Sequence, residues 1–258
     1  MKTESGMAMT DTPQLVALFT DFGIGSHYLA QVKARLLQMN VTQPVIELCS
    51  DAPAFNPRAS AYLLASFLPY MPDGTLFICV VDPEVGGGRE AVWLKTERFW
   101  FVGPDNGLLS QAARHSQQVM AQRIDLPDLP AHAKTFDGRD LFAPAAARIC
   151  TGSIPKGRVI APDHLVGADW PENLAEVIYI DAYGNAVTGL AAGNLPKEQV
   201  LLVNGHQLPY AETFCSVPKG MVFWYENANG LVEIAANQGS AKASLTLEVG
   251  CPVRWADT

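Results

Sequence analysis

Basic residues are scarce in this chain. Its 18 Lys and Arg stand against 26 Asp and Glu, a formal net charge of −8, and the cations are scattered rather than gathered into a stripe. Phosphate contacts need such a stripe, so neither nucleic acid nor an anionic membrane is expected as a partner. Cysteine is sparse too: Cys49, Cys79, Cys150, Cys215 and Cys251 lie far apart, odd in number and without a C-x-x-C pair. That spacing speaks against a disulfide framework and a zinc knuckle, and a reducing cytoplasm fits it best. The longest apolar run, "TLFICVV", is far short of a membrane span, and the opening "MKTESGMAMTDTPQ" lacks the apolar core of a secretion signal. Several familiar site motifs are also missing. "GIGSHY" lacks the third glycine of a dinucleotide fingerprint, and "VGGGRE" lacks the Lys-Ser/Thr of a phosphate loop, so NAD and ATP are not expected. Ser26 and Ser110 have no G-x-S-x-G setting, and no cysteine has a histidine beside it in sequence. Each of the five histidines reads first as a surface or core residue, with His132 the one nearest a suggestive motif. There is no repeat period and no low-complexity tract.

What remains is ordinary globular composition, 48% hydrophobic and 17% charged over 258 residues, enough for one large domain or two modest ones. Residues 1–13 read as a flexible tail. From Leu15 strand-like and helix-like segments alternate. "LVALFT" precedes "SHYLAQVKARLLQM", which puts Leu29, Val32, Leu36 and Met39 at helical spacing behind Ser26 as N-cap. "PVIEL" precedes "NPRASAYLLASFL", with Asn56 as cap and Pro57 at the first helical position. "TLFICVV", "AVWLKT" and "FWFV" add strands, and "GLLSQAARH" a helix. The expectation for 14–155 is an α/β domain, a mostly parallel sheet with helices on both faces. Residues 156–171 are rich in Pro, Gly and Asp and read as a linker. From 172 to 258 the segments shorten. "EVIYI", "QVLLV", "MVFWY", "LVEIA" and "ASLTLEV" read as strands and "NGHQ" as a tight turn, which predicts a small all-β, barrel-like domain.

Three acidic clusters follow predicted strands directly: "TDFG" with Asp21, "VDPEVGGGRE" with Asp82 and Arg89, and "GPDNG" with Asp105 and Asn106. In a parallel sheet the carboxyl ends of the strands share one rim, where ligands bind. Asp and Gly also make turns after strands for no functional reason, but three coincidences favour a site. Asp21, Asp82, Asp105, Asp137 and Asp140 could offer a divalent metal hard oxygens, yet Arg89 and Arg139 occupy the same motifs, and no metal is expected.

Six pieces in order, "FTDFG", "VVDPEVG" with Arg89, "GPDNGLL", "KTFDGRDLFAPAAA", "IDAYGNAVT" and "NANGLVEIAANQGSA", resemble the S-adenosyl-L-methionine hydroxide adenosyltransferases, relatives of the fluorinase and chlorinase. The resemblance runs from about Leu15 to Val253. It implies hydrolysis of S-adenosyl-L-methionine to adenosine and L-methionine, with no cofactor beyond the substrate. It also implies a homotrimer whose sites lie between one subunit's first domain and a neighbour's second. By position it makes Asp21 the holder of the ribose hydroxyls, and Asp82 and Arg89 two members of a water-holding Asp-Arg-His set. Phe55 becomes a wall over the sugar and adenine, Asp181 the partner of the methionine ammonium, and Asn185 an adenine contact. The backbone at Ala236 and Gln238 lies along the adenine edge, and Asn106 and Asn227 fall in substrate-binding motifs. For Asn185, a plain turn role in "YGN" stays open.

The chain departs from the family pattern where "TFHGRD" is expected: Asp137 stands in place of the His. A neutral imidazole leaves the set uncharged, whereas an ionised Asp137 brings it to −1, which disfavours a halide ion more than water. Asp137 either faces the water, or caps the helix near Leu141 or pins Arg139 with the catalytic set lapsed. The alternatives are then a nucleoside- or S-adenosyl-L-methionine-binding protein without water activation and, behind it, a halogenase or a metal-dependent hydrolase. Glu84, Gly189 and Ala228 are smaller departures, the last removing a hydroxyl from the methionine end.

Overall fold

A computed structural model describes residues 12–129, 133–193 and 195–256. His132 lies outside them. The chain divides into two compact units, residues up to 61 with 70–170, and 62–69 with 171–258.

In the first unit the apolar run Leu15–Thr20 is β1, and Ser26 ends the loop behind it by accepting a hydrogen bond from the Tyr28 N–H, which starts α1 (His27–Gln38). The helix buries Leu29, Val32 and Leu36, the stripe that its periodicity predicts. After β2 (Val45–Cys49), Asn56 accepts from the Ala59 N–H and Pro57 opens α2 (Pro57–Phe67). There follow β3 (Thr75–Val80), β4 (Ala91–Thr96), β5 (Trp100–Pro104), α3 (Ser110–Arg114) and β6 (Val119–Arg123). A π-helical turn, Gly138–Phe142, leads into α4 (Ala143–Cys150), with the Ala143 N–H reaching back five residues to the Gly138 carbonyl. The last strand of this unit is β7 (Val159–Ile160).

These strands form one seven-stranded sheet in the order β2-β1-β3-β5-β4-β6-β7. The pairings β2·β1, β1·β3 and β3·β5 are parallel, and β5·β4, β4·β6 and β6·β7 are antiparallel. All six residues of β3 and five of the six in β1 are buried, which is why these strands read as continuous apolar runs rather than alternations. Val16, Leu18, Leu76, Ile78 and Val102 meet the buried stripe of α1 and the alanine-rich α4. Small side chains let α4 approach closely.

Two expectations are corrected. Of residues 156–171, read as a linker, 156–170 belong with the first unit and Pro171 with the second: β7 pairs with β6, and Trp170 packs where a side chain on Gly107, at φ +95°, would overlap its ring. A two-residue strand has no periodicity to read.

The second unit contains β8 (Leu174–Ile180), β9 (Ala186–Ala191), β10 (Leu201–Val203), β11 (His206–Leu208), β12 (Val222–Glu226), β13 (Leu231–Ala236), α5 (Ala241–Leu245) and β14 (Val253–Trp255). They make an antiparallel sheet β12-β13-β9-β8 and a three-stranded one, β11-β10-β14. Asn204 and Gly205, both at positive φ, join β10 to β11 in the two-residue turn that "NGHQ" predicts. The second correction falls on "ASLTLEV". Its Leu245, Leu247, Val249 alternation mimics a strand, but Ser240 accepts from the Ala243 N–H and starts a helix, which Thr246 ends in the left-handed region.

Candidate active site

Asp21, Asp82 and the Asp105-Asn106 pair follow β1, β3 and β5, three neighbouring strands that run the same way, so all of them stand on one rim. Asp21 Oδ2 accepts from the Phe55 N–H at 3.2 Å. Phe55 sits at φ +59° with its ring 78% exposed, a conformation and an exposure that packing does not explain. Burial raises the Asp21 carboxyl above its ordinary pKa; backbone N–H groups, Phe55's first, oppose this, and the charge of Asp82 adds to the rise. Asn106 is a brace: its Nδ2 donates to the Val81 carbonyl at 2.9 Å and its Oδ1 accepts from the Leu108 N–H at 3.2 Å. Asp105 Oδ1 accepts from the Val166 N–H.

The rim's charged centre is Asp82, Arg89 and Asp137. Arg89 donates through Nε to Asp82 Oδ2 at 2.9 Å and through Nη2 to the same oxygen, and Nη2 also donates to Asp137 Oδ2. The side chains are 7%, 3% and 10% exposed for Arg89, Asp82 and Asp137, so these ion pairs are largely withdrawn from water. Burial works against the guanidinium's charge, but bonds from the two carboxylates outweigh it and hold its pKa above the usual arginine value. The Phe142 ring lies 5.5 Å from the guanidinium carbon. Asp82 Oδ1 is buried with no hydrogen-bond partner among the described residues.

Asp137 neither caps the helix nor pins Arg139. It precedes the π-helical turn without a side-chain cap bond. Arg139 instead pairs with Asp140 through two parallel bonds of 2.6 and 2.7 Å, and reaches Gln31 Oε1 with Nη1 at 2.7 Å. Asp140 Oδ2 also accepts from the Ala133 N–H, so Arg139 and Asp140 tie down the loop that bears Asp137.

In the second unit Asp181, Asn185, Ala236 and Gln238 line one open cavity of about 610 Å³. Asp181 Oδ1 accepts from the Tyr183 and Asn185 N–H groups, and its Oδ2 from Asn185 Nδ2 at 2.9 Å. Asn185 is thus both a turn residue and a cavity wall. Asn227 stands behind the lining, where its Nδ2 donates to Glu233 Oε2 at 2.9 Å and its Oδ1 accepts from the Asn229 and Leu231 N–H groups.

Sequence reasoning missed five lining residues, Tyr183, Phe214, Tyr225, Glu233 and Gly239. The available signal was a charged residue inside the apolar strand "LVEIA". Glu233 is buried, and Tyr225 donates its hydroxyl to Oε1 at 2.6 Å. The cavity lining holds two carboxylates and no Lys, Arg or His, a setting suited to a cationic ligand group.

Burial, aided by the charge of Asp181, raises the Glu233 pKa above its ordinary 4.5, while bonds from Tyr225 and Asn227 lower it in part. A carboxyl with a raised folded-state pKa contributes stability below its unfolded pKa and loses it as pH rises through the folded one. Glu233→Gln is therefore expected to gain in melting temperature relative to wild type as pH goes from 5 to 8. Each pKa unit of separation is worth about 1.4 kcal/mol, or roughly 3–6 °C in a chain of this size. Thermal melts at both pH values check the sign.

Known proteins resemble this chain over most of its length. Residues 16–157 match the SAM hydroxide adenosyltransferase N-terminal domain and residues 175–254 the C-terminal domain. The (R)-S-adenosyl-L-methionine hydrolase of Thermus thermophilus is 37% identical, covering 93% of this chain and 98% of its own length. Its namesake from Salinispora arenicola is 34% identical, covering 95% and 98%. A solved structure from Thermotoga maritima, described only as an uncharacterized conserved protein, superposes with a TM-score of 0.83 at 26% identity, over 94% of this chain and 100% of that one. Two family domains matched in order over most of the length, with relatives above 30% identity end to end, establish that this chain belongs to the SAM hydroxide adenosyltransferase family.

Proposed function

We propose that this protein hydrolyses S-adenosyl-L-methionine to adenosine and L-methionine. One observation carries the reading beyond family membership: Asp82, Arg89 and Asp137 form one largely buried charged cluster on the same rim as Asp21. In this reading the reacting water donates a hydrogen bond to the Asp82 carboxylate, an acceptor when ionised. The water's oxygen then bonds to ribose C5′ while the C5′–S bond breaks, and the electron pair stays on sulfur. A cationic sulfonium leaves as a neutral thioether, so the chemistry calls for no metal and no covalent nucleophile. The water's proton passes to the Asp82 carboxylate and on to solvent. What the protein supplies is alignment, for which proximity offers up to about 7–11 kcal/mol.

In this reading Asp82, Arg89 and Asp137 form the water-holding set. Asp21 accepts from the ribose hydroxyls, Phe55 covers the sugar, and Asn106 steadies the rim. Asp181 takes the methionine ammonium, Asn185 with the backbone at Ala236 and Gln238 takes adenine, and Asn227 supports that wall. The homotrimer that the family resemblance implies, in which one copy's second unit serves a neighbour's first, is part of this reading. No helix among the described residues is long and apolar enough to cross a membrane, and the unpaired cysteines suit a cytoplasmic setting.

The relatives' names specify the (R) epimer at sulfur. Incubated with each epimer of S-adenosyl-L-methionine, the protein is expected to release adenosine at least about tenfold faster from (R) than from (S), a difference of about 1.4 kcal/mol. Chromatography of adenosine over time reads this out. Folded protein that binds adenosine but releases none between about pH 6 and 9, a range that spans histidine titration, would instead be the nucleoside binder that Asp137 raised as the alternative.

A further inference from the structure

Two carboxylates line the second unit's cavity, and they are not equally occupied. A carboxylate offers about four lone-pair sites. Asp181 has three of them filled, two on Oδ1 by the Tyr183 and Asn185 N–H groups and one on Oδ2 by Asn185 Nδ2. Glu233 has one filled on each oxygen, by the Tyr225 hydroxyl at 2.6 Å and by Asn227 Nδ2 at 2.9 Å. One site is left on Asp181 and two on Glu233, and a primary ammonium carries three donors. Nothing in the lining neutralises an anion. It holds no Lys, Arg or His, and of its side-chain donors the Asn185 amide already serves Asp181 and the Tyr225 hydroxyl Glu233.

We infer that Glu233 is a specificity-determining residue: it shares the substrate's ammonium with Asp181, and the pair selects sulfonium nucleosides by their amine, with the neighbouring carboxylate dispensable. The inference rests on the hydrolase reading, which sets the ammonium against Asp181, and adds a second acceptor and the class of substrate the cavity prefers. Glu233 is held ready for this. It lies on β13 directly opposite Tyr225 of β12, so the pairing of the two strands places its hydroxyl donor beside it, and Asn227 just beyond β12 fixes the other oxygen. At 7% exposure it still lines the cavity. Burial raises its pKa and the charge of Asp181 adds to the rise, an imbalance that an arriving cation would relieve. The Phe214 and Tyr225 rings, 5.4 Å apart in the same lining, add faces that favour a cation. The substrate's own carboxylate meets two like charges there and no counter-ion, so its removal lifts a repulsion. A Glu233 that served only to brace Tyr225 and Asn227 would draw no distinction between substrates.

The test is steady-state release of adenosine by the full-length protein and by Glu233→Gln from three substrates: S-adenosyl-L-methionine, its decarboxylated analogue, and an analogue with hydrogen in place of the amine. Wild type is expected to use the decarboxylated analogue at least as well as S-adenosyl-L-methionine, with kcat/KM up to about fivefold higher, the scale of one like-charge repulsion in a solvated cavity. On the amine-free analogue kcat/KM should fall about 10- to 100-fold, as expected when hydrogen bonds between charged groups are lost. Glu233→Gln is expected to raise KM about tenfold for both amine-bearing substrates while kcat stays within about threefold, the mark of lost uniform binding. For the amine-free analogue its kcat/KM should be unchanged or higher. A loss there as well would make Glu233 a brace for the cavity and overturn the inference. So would a decarboxylated analogue used less well than S-adenosyl-L-methionine, or a KM that the variant leaves unmoved. Should Glu233→Gln fail to fold, the order of the three substrates on wild type decides alone. Wild-type protein that makes no adenosine from any of them would remove the hydrolase reading and this inference with it, whereas hydrolysis with the analogues in the wrong order removes the inference alone.

Discussion

Asp82→Asn is expected to lower kcat about 10³-fold, within the range for loss of a positioned general base, while KM stays within about threefold. An amide preserves the shape of the side chain and leaves one oxygen, which Arg89 will claim because it is the only acceptor left on that side chain. The position of Oδ1 is then filled by an NH2 group, a donor where the water needs an acceptor. The water can still sit beside it, but with a lone pair turned to the amide and no acceptor for the proton it must lose as its oxygen bonds to C5′. Substrate contacts are untouched, so the loss falls on the chemical step. A time course of adenosine release at saturating substrate measures it. Retention of more than about a tenth of the wild-type kcat would mean that Asp82 lacks the role expected of a general base.

Asp21→Ala is expected to weaken adenosine binding about 10- to 100-fold, since bonds to a charged acceptor are worth about 1.5–3 kcal/mol. Two effects combine. The carboxylate that would accept from the ribose hydroxyls is gone, and so is the acceptor of the Phe55 N–H. Phe55 occupies a left-handed conformation that costs a non-glycine residue about 1–3 kcal/mol and persists only while its surroundings fix it. Released, its exposed ring no longer forms a stationary wall. Asp21→Asn keeps an acceptor for that N–H and removes only the charge, so its loss should be smaller, about tenfold, or roughly 1.4 kcal/mol. Calorimetric titration with adenosine separates the two variants. Because burial raises the Asp21 pKa above its ordinary 3.8, wild-type affinity should also begin to fall on acidification before a free aspartate would protonate. Equal affinities across all three proteins would remove Asp21 from the site.

Much of this could be read from the sequence because it rests on local rules. Ser26 and Asn56 each announce a helix start, and Asn204-Gly205 a two-residue hairpin turn, because the chemistry involved spans three or four residues. The carboxyl rim was legible for a different reason: once β1, β3 and β5 run parallel, topology puts whatever follows each of them at the same edge. Local rules fail where two of them compete. In "ASLTLEV" the two-residue alternation lost to a serine cap five residues before Leu245. Glu233 was invisible for a third reason. Its neighbours in the cavity, Tyr225 and Asp181, lie 8 and 52 positions away along the chain, and only the pairing of β12 with β13 and of β13 with β9 brings them together. Asp137 lies between these cases. Its substitution for histidine was plain to see, but whether it faced Arg89 or Arg139 depended on the direction of one side chain.

That direction traces to the π-helical turn at Gly138–Phe142, which contains one residue more than an α-turn would. Each residue of an α-helix rotates its neighbour by about 100°. The surplus residue therefore works as a phase shifter: the alanines of α4 keep their angular setting against the sheet while the preceding segment is dialled separately toward Arg89. Excising it would swing the carboxylate out of line by about 100° and disturb the buried Phe142 beside it.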